Sequence, residues 1–93
     1  MVSTSGTISS KTEVLGFEAA NDCWVVFGLK TITQAEGGSA YWKIDGKWII
    51  GIQFMTSVQI DKAFYPLRKG TKVYVGADSG GRSFTYSAYA MNL

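Results

Sequence analysis

The sequence predicts a small all-β domain, an antiparallel β-sandwich of about seven to eight strands. Short runs rich in β-branched and aromatic residues recur along the chain, and Gly, Asn and Asp separate them. No stretch of the chain has the apolar period of an amphipathic helix. The dipeptide Asp45-Gly46 lies between two such runs, which is the pattern of a two-residue type I′ hairpin. With 93 residues, the chain is long enough for one domain.

The predicted hairpin, residues 40–54, is the strongest local signal. A two-residue loop pairs the flanking residues in a fixed register, namely Ile44 with Lys47, Lys43 with Trp48, Trp42 with Ile49 and Tyr41 with Ile50. Because side chains alternate along a strand, this register makes both faces of the hairpin largely apolar. A hairpin with one wet face is apolar on one side only, so we expect this one to pack against something on each face.

The chain before the hairpin predicts two further strands. Residues 1–12 are rich in Ser, Thr and Gly, and we expect a flexible lead-in with a weak strand near residues 7–11. The domain itself is then expected to span residues 13–93. Residues 13–19 predict a short strand, with one face formed by Leu15, Phe17 and Ala19. Residues 23–30 predict a stronger strand, with its core face formed by Cys23, Val25, Phe27 and Leu29 and a second apolar face formed by Trp24 and Val26.

The chain after the hairpin continues in strands. Polar and apolar residues alternate through residues 55–64, and the one proline, Pro66, indicates a strand end or an edge strand. Residues 71–77 predict a strand with a core face formed by Val73, Val75 and Ala77. From residue 83 to the end no side chain is charged, so we expect this last strand to be internal to a sheet or buried against a partner. Two Gly-containing loops, residues 31–39 and 78–81, are candidate functional tips.

Charge and residue counts exclude several functions. The formal net charge of +2 is too small to indicate nucleic-acid binding. The chain has one cysteine, Cys23, which excludes an intrachain disulfide and is expected to be a core residue. It has no histidine, which excludes a Ser-His-Asp or Cys-His site and a His-ligated metal within one chain, and we expect no cofactor. No signal peptide and no apolar run of membrane-spanning length is present.

Two turn phrases carry a resemblance to a known family. They are Ile44-Asp45-Gly46-Lys47 and the run from Pro66 to Val73, Pro-Leu-Arg-Lys-Gly-Thr-Lys-Val, and a Gly-rich loop and an aromatic last strand follow them. This order resembles the distal tip domains of bacteriophage tail fibres and related receptor-binding proteins, over roughly residues 13–93. Such tips are similar to the tumour-necrosis-factor jelly roll, so the resemblance implies a jelly-roll-like sandwich.

The resemblance also implies a homotrimer that is part of a virion and is made in the host cytoplasm. Aromatic and aliphatic side chains from each subunit would meet around the three-fold axis, in agreement with the two-faced apolarity of the hairpin. The interface candidates are Trp24, Tyr41, Trp48, Tyr89 and Met91. The alternative for each of them is a place in the ordinary core of one chain.

The leading functional hypothesis is a non-enzymatic, trimeric binding module that recognises a cell-surface saccharide or protein receptor. Aromatic rings offer their faces to sugar C–H groups, and polar side chains fix the orientation of the sugar. The candidate ligand-binding residues, chosen for their closeness to the two Gly-rich loops, are Glu36, Asp78, Arg82 and Tyr86. The alternative for each is a plain surface residue.

Three other functions remain open. The domain could be a structural protein that caps or assembles a virion, or a small β-sandwich inhibitor of a host protein. An enzyme is not expected, although glycoside hydrolysis needs only a pair of carboxylates in a cleft. The seven Asp and Glu residues of this chain fall mostly at predicted turns and at exposed strand positions.

Overall fold

The computed structural model describes residues 2–9, 12–31, 39–53, 60–77 and 83–92. These residues form eight antiparallel strands in two four-stranded sheets, without a helix. The strands, in chain order, are β1 (Val2–Ser9), β2 (Glu13–Glu18), β3 (Cys23–Thr31), β4 (Ser39–Ile44), β5 (Lys47–Gln53), β6 (Ile60–Leu67), β7 (Lys72–Ala77) and β8 (Ser83–Asn92). The predicted all-β sandwich is confirmed. Within the described ranges, no helix long and apolar enough to cross a membrane was found.

The strand order is that of a jelly roll. The first sheet has the order β1-β8-β3-β6 and the second has the order β2-β7-β4-β5. Strands adjacent in sequence therefore mostly belong to opposite sheets, as in a double-sheet jelly roll. Strand β8 lies between β1 and β3 and pairs with both. The uncharged, aromatic last strand is therefore internal to a sheet, which is one of the two expected arrangements. Pro66 is in β6 at the edge of the first sheet, as its missing N–H predicts.

The core lies between the two sheets and is centred on Trp42 of β4, whose side chain is fully buried. Its indole packs against Phe27 of β3, with ring centroids 4.8 Å apart, and meets the Tyr86 ring edge-on at 5.6 Å. The predicted core faces of β3 and β7 are confirmed, because their inward residues are 0–3% exposed, namely Cys23, Val25, Phe27, Leu29, Val73, Val75 and Ala77.

The central hairpin turns where the sequence predicts. Asp45 has a φ of 51° and Gly46 a φ of 79°, so both central residues have the positive φ that a type I′ turn requires. The two predicted pairs next to the turn, Ile44 with Lys47 and Lys43 with Trp48, are confirmed.

The predicted register fails further from the turn because of a β-bulge between Trp42 and Lys43. Trp42 pairs with Ile50 rather than with Ile49, and Tyr41 pairs with Gly51 rather than with Ile50. A bulge places one extra residue on one strand, which reverses the face of every residue beyond it. Ile50 and Ile52 therefore join Trp42 in the core, whereas the expected register placed both of them on the opposite face from Trp42.

Two other segments differ from the predictions. Residues 2–9, expected to belong to a flexible lead-in, form β1, which pairs with β8 along its whole length. The sequence did not predict this strand because residues 3–7 are Ser, Thr and Gly, so no apolar residues alternate there. Ile8 is its buried apolar residue. In β2, a bulge between Leu15 and Phe17 leaves Leu15 45% exposed, so Leu15 does not share the buried face of Phe17 and Ala19.

Candidate binding face

The outer face of the first sheet is the surface best built to bind a ligand. Strands β1, β8, β3 and β6 lie side by side, and their registers align outward-pointing residues in rows across the sheet. Because side chains alternate, every second residue of each strand contributes to this face. One half of the face is aromatic and the other half carries hydroxyls and lysines.

The aromatic half is formed by Trp24, Phe64, Tyr89 and Met91. Trp24 pairs with Met91, and the next row places Val26 between Tyr89 and Phe64. The Trp24 and Phe64 rings stack, with centroids 5.0 Å apart and planes 16° from parallel. All four side chains are exposed, from 37% for Trp24 and Met91 to 55% for Phe64. A contiguous patch of exposed apolar side chains is typical of an interaction site.

The polar half begins with the next row, which contains Ser5, Ser87, Gly28 and Lys62 in that order across the four strands. Gly28 has no side chain and is buried, so its backbone forms the floor of a groove of about 390 Å³. Thr85 and Lys30 lie one row further along, and the Thr85 hydroxyl donates a hydrogen bond of 3.4 Å to the Lys30 carbonyl oxygen. Among the described residues, no carboxylate lines this groove.

The outer face of the second sheet is organised differently. The Tyr41 hydroxyl donates a 2.6 Å hydrogen bond to Oε1 of Glu13, and Lys43 Nζ lies 2.7 Å from the same oxygen. The Tyr41 ring stacks on Trp48, with centroids 4.7 Å apart, and Tyr41 is only 6% exposed. Hydrogen bonds from Lys43 and from Tyr41, together with the Lys43 charge, lower the pKa of Glu13 against the opposing effect of burial. Part of the second apolar face of the hairpin is thus covered within one chain.

The structure separates the five predicted interface residues into two groups. Trp24, Tyr89 and Met91 lie together in the aromatic half, whereas Tyr41 and Trp48 lie on the outer face of the opposite sheet. One continuous patch therefore contains three of the five. A role in a subunit interface stays a prediction for all of them.

Of the four predicted ligand-binding residues, Glu36, Asp78 and Arg82 lie outside the described residues. Tyr86 pairs with Gly6 and Leu29, and its ring points to the inner face of the sheet, where it packs against Trp42 in the core. The residue lines the groove, but its ring does not lie on the outer face with the other candidate ligand contacts. A β-carbon added at Gly6 would lie 2.6 Å from the Tyr86 hydroxyl oxygen, so this glycine leaves room for the ring. A ligand-binding role for Tyr86 stays a prediction.

The sequence analysis missed Gly28, Lys30, Lys62 and Phe64. A glycine inside an apolar strand such as β3 often indicates a close approach of another group to the backbone, and this was the available signal for Gly28. The two lysines and Phe64 join the same face only through the pairing of β3 with β6 and β8, which the sequence does not reveal.

The described residues contain no group of three or more His, Cys, Asp and Glu side chains that could hold a metal ion. Comparison of the chain with protein-family models, with curated proteins and with solved structures found no match. A functional inference therefore depends on the chemistry of the binding face itself.

Proposed function

We propose that the protein is a non-enzymatic, saccharide-binding module and that the outer face of its first sheet is the binding site. The observation that supports this most directly is that the aromatic half and a groove lined by hydroxyls occupy adjacent rows of one sheet face. Aromatic rings offer flat apolar surface to sugar C–H groups, and hydroxyls exchange hydrogen bonds with sugar hydroxyls. An oligosaccharide presents both kinds of group along its length.

The dimensions of the face suit such a ligand. Successive rows are two residues apart, so the row of Phe64 and Tyr89 lies about 13 Å from the row of Lys30 and Thr85. The volume of the groove, about 390 Å³, falls within the range of about 300–1,000 Å³ that is typical of small-molecule sites. The central strands β3 and β8 are paired on both sides, which keeps the face rigid and lowers the entropy lost on binding.

The resemblance to fibre tips supports a more specific setting for this function. In that setting, the module is a homotrimeric receptor-binding domain of a bacteriophage fibre, and the saccharide belongs to the surface of the host cell. The jelly-roll strand order agrees with the fold that the resemblance implies.

A glycan array with the labelled protein tests the proposed function. We expect binding that Phe64→Ala and Trp24→Ala each weaken by about tenfold, as is typical for an aromatic anchor. Tyr74→Ala is the matched control, because Tyr74 is an exposed aromatic residue on the second sheet. Circular dichroism checks that the variants fold. The absence of binding to any glycan, or equal binding by all three folded variants and the wild type, contradicts the proposal.

A second candidate function, self-assembly through the aromatic half, is favoured by the clustering of Trp24, Tyr89 and Met91 in one exposed patch. Light scattering on the wild type and on Phe64→Lys tests it. A trimer that dissociates in the variant assigns the aromatic half to a subunit interface. A trimer that persists in the variant leaves this half available to a saccharide.

A further inference from the structure

We infer that strand β1 is an interaction edge and that β1 of a second copy of this chain pairs with it, antiparallel, around a two-fold axis. The pairing would join the first sheets of two copies into one continuous sheet and place their outer faces side by side. The inference does not depend on saccharide binding. It depends on the contrast between β1 and the other edge strands, and on an apolar residue that is left exposed beside β1.

Four of the described strands lie at sheet edges, namely β1 and β6 in the first sheet and β2 and β5 in the second. An edge strand carries backbone N–H and C=O groups without a partner in its own sheet, and lysine, proline or a bulge commonly prevents it from pairing with another chain. Strand β6 contains Lys62 and Pro66, and β5 begins with Lys47 and is bulged against β4. Strand β2 begins and ends with a glutamate and is bulged against β7. Three of the four edges therefore carry features that oppose pairing.

Strand β1 has none of these features. Its register with β8 is continuous from Val2 to Ser9, and it contains neither a proline nor a charged side chain. Strand β8 beside it has no charged side chain either. Like charges directly opposite each other destabilise a pair of strands, and two copies can meet at β1 without such a contact. The edge is thus a long, regular and neutral template for another strand.

Val14 of β2 gives a second, independent indication at the same side of the sandwich. It pairs with Val75 of β7, which is fully buried, so Val14 belongs to the face of β2 that is turned toward the core. Val14 is nevertheless 36% exposed. Because β2 is the edge strand next to β1 across the core, the space between the sheets is not closed at this side. A strand added beside β1 would extend the first sheet here and cover Val14.

The symmetry of the contact follows from the other edges. Pairing of β1 with a different edge would be heterologous and would need a second free edge, which the described strands do not supply, whereas pairing of β1 with itself is isologous and closes with two copies. A two-fold axis through Ser5 preserves the alternation of the faces. It places Ser5 opposite its own copy and Ser3 opposite Thr7 of the second copy. All three side chains are exposed, and hydroxyl pairs of this kind stabilise neighbouring strands.

Light scattering on the wild type and on edge variants, at about 1–100 µM protein, tests the inference. We expect a dimer, and we expect Ser5→Lys to raise its Kd at least about tenfold because two lysines then face each other. Ser87→Lys is the matched control and should keep the dimer. Ser87 is exposed and pairs with Ser5 in the same row, but it lies on β8, one strand in from the edge. Circular dichroism checks that the variants fold.

A mixture of two opposite charges separates loss of pairing from loss of folding. Ser5→Lys and Ser5→Glu should each be monomeric alone and should form a dimer when mixed one to one. A wild type that stays monomeric over the whole range overturns the inference and leaves the edge to a strand of another protein. An oligomer that Ser5→Lys does not weaken also overturns it, and dissociation of that oligomer by Phe64→Lys would assign the contact to the aromatic half instead.

Discussion

The indole Nε1 of Trp42, in the second sheet, donates a buried hydrogen bond of 3.0 Å to the carbonyl oxygen of Gly28, in the first sheet. Gly28 is also the floor of the candidate groove. Phe27, the residue before it, packs its ring against the same indole at 4.8 Å. The largest fully buried side chain thus contacts the segment of β3 that carries the binding face in two ways, and it links the core to the groove.

Replacement of Trp42 by Phe should lower the free energy of unfolding by about 2–4 kcal/mol, because the Gly28 carbonyl loses a buried donor and the smaller ring leaves a cavity. Urea unfolding measures this loss. Trp48→Phe is the matched control, because Trp48 is 49% exposed, and it should cost less than about 1 kcal/mol. Equal losses in the two variants would show that the buried hydrogen bond does not hold the two sheets together.

The Glu13 carboxylate should make stability depend on pH. Its pKa lies below the ordinary value of 4.5 because Lys43 and Tyr41 hydrogen-bond to the charged form. A lowered pKa in the folded state means that the stabilising contribution is complete above about pH 4.5 and is lost as the pH falls below it. With a side chain 37% exposed, Glu13 should contribute less than about 1 kcal/mol.

Unfolding of the wild type and of Glu13→Gln at pH 7 and at pH 3 measures this contribution. At pH 7 the wild type should have a larger free energy of unfolding than Glu13→Gln. This difference between the two proteins should be smaller at pH 3. Glu18→Gln, on the same strand, controls for the loss of a negative charge alone. A difference between the wild type and Glu13→Gln that is constant with pH would contradict the expected titration.

The regular strands could be predicted from the sequence because their alternation is uninterrupted. Val25 and Phe27 in β3, and Val73 and Val75 in β7, are buried where the pattern placed them. The predictions failed at bulges, because one insertion exchanges the two faces of a strand. Nothing in the residue type marks the inserted Ile49 of β5. The inserted residue of β2 is Gly16, and a glycine inside a strand was an available sign of a bulge there.

The candidate binding face could not be predicted, for a different reason. Ser5 and Ser87 come from opposite ends of the chain, and Gly28 and Lys62 from its middle, yet they form one row. Their proximity depends on strand order and register, which the periodicity of a single strand does not encode. Sequence reasoning singled out Trp24 and Tyr89 as interface candidates, with a place in the core as the alternative, and the interface role stays a prediction. Composition alone does not distinguish a subunit interface from a ligand-binding surface.

Cys23 should react slowly with thiol reagents in the folded protein. Its side chain is 2% exposed, and burial raises the pKa of the thiol, with a smaller contribution from the Asp22 charge. The thiolate is the reactive form, so both low access and a raised pKa slow the reaction. Ellman's reagent at pH 8 measures the rate. It should be at least tenfold slower than in about 6 M guanidinium chloride, where the chain is unfolded, and equal rates would show that β3 opens readily at its start.

Two glycines on the outer face of the second sheet should differ in their tolerance of a methyl group. A β-carbon at Gly76 would lie 2.6 Å from the Tyr41 hydroxyl oxygen and 2.8 Å from the Thr12 carbonyl oxygen, which accepts a backbone hydrogen bond from Ala77. A β-carbon at Gly51 would lie 2.5 Å from the Trp48 ring and 3.6 Å from the backbone carbonyl oxygen of Ala40. Backbone held by a hydrogen bond cannot move aside, whereas a half-exposed side chain can.

Gly76→Ala should therefore lower the free energy of unfolding by about 1–3 kcal/mol, as overpacking does. Gly51→Ala should change it by less than about 1 kcal/mol, because Trp48 can rotate away and alanine loses less backbone entropy than glycine in a strand. Urea unfolding compares the two variants. A loss at Gly51 as large as that at Gly76 would show that Trp48 is fixed over Tyr41, and the Tyr41–Trp48 stack would then be as rigid as the backbone beneath it.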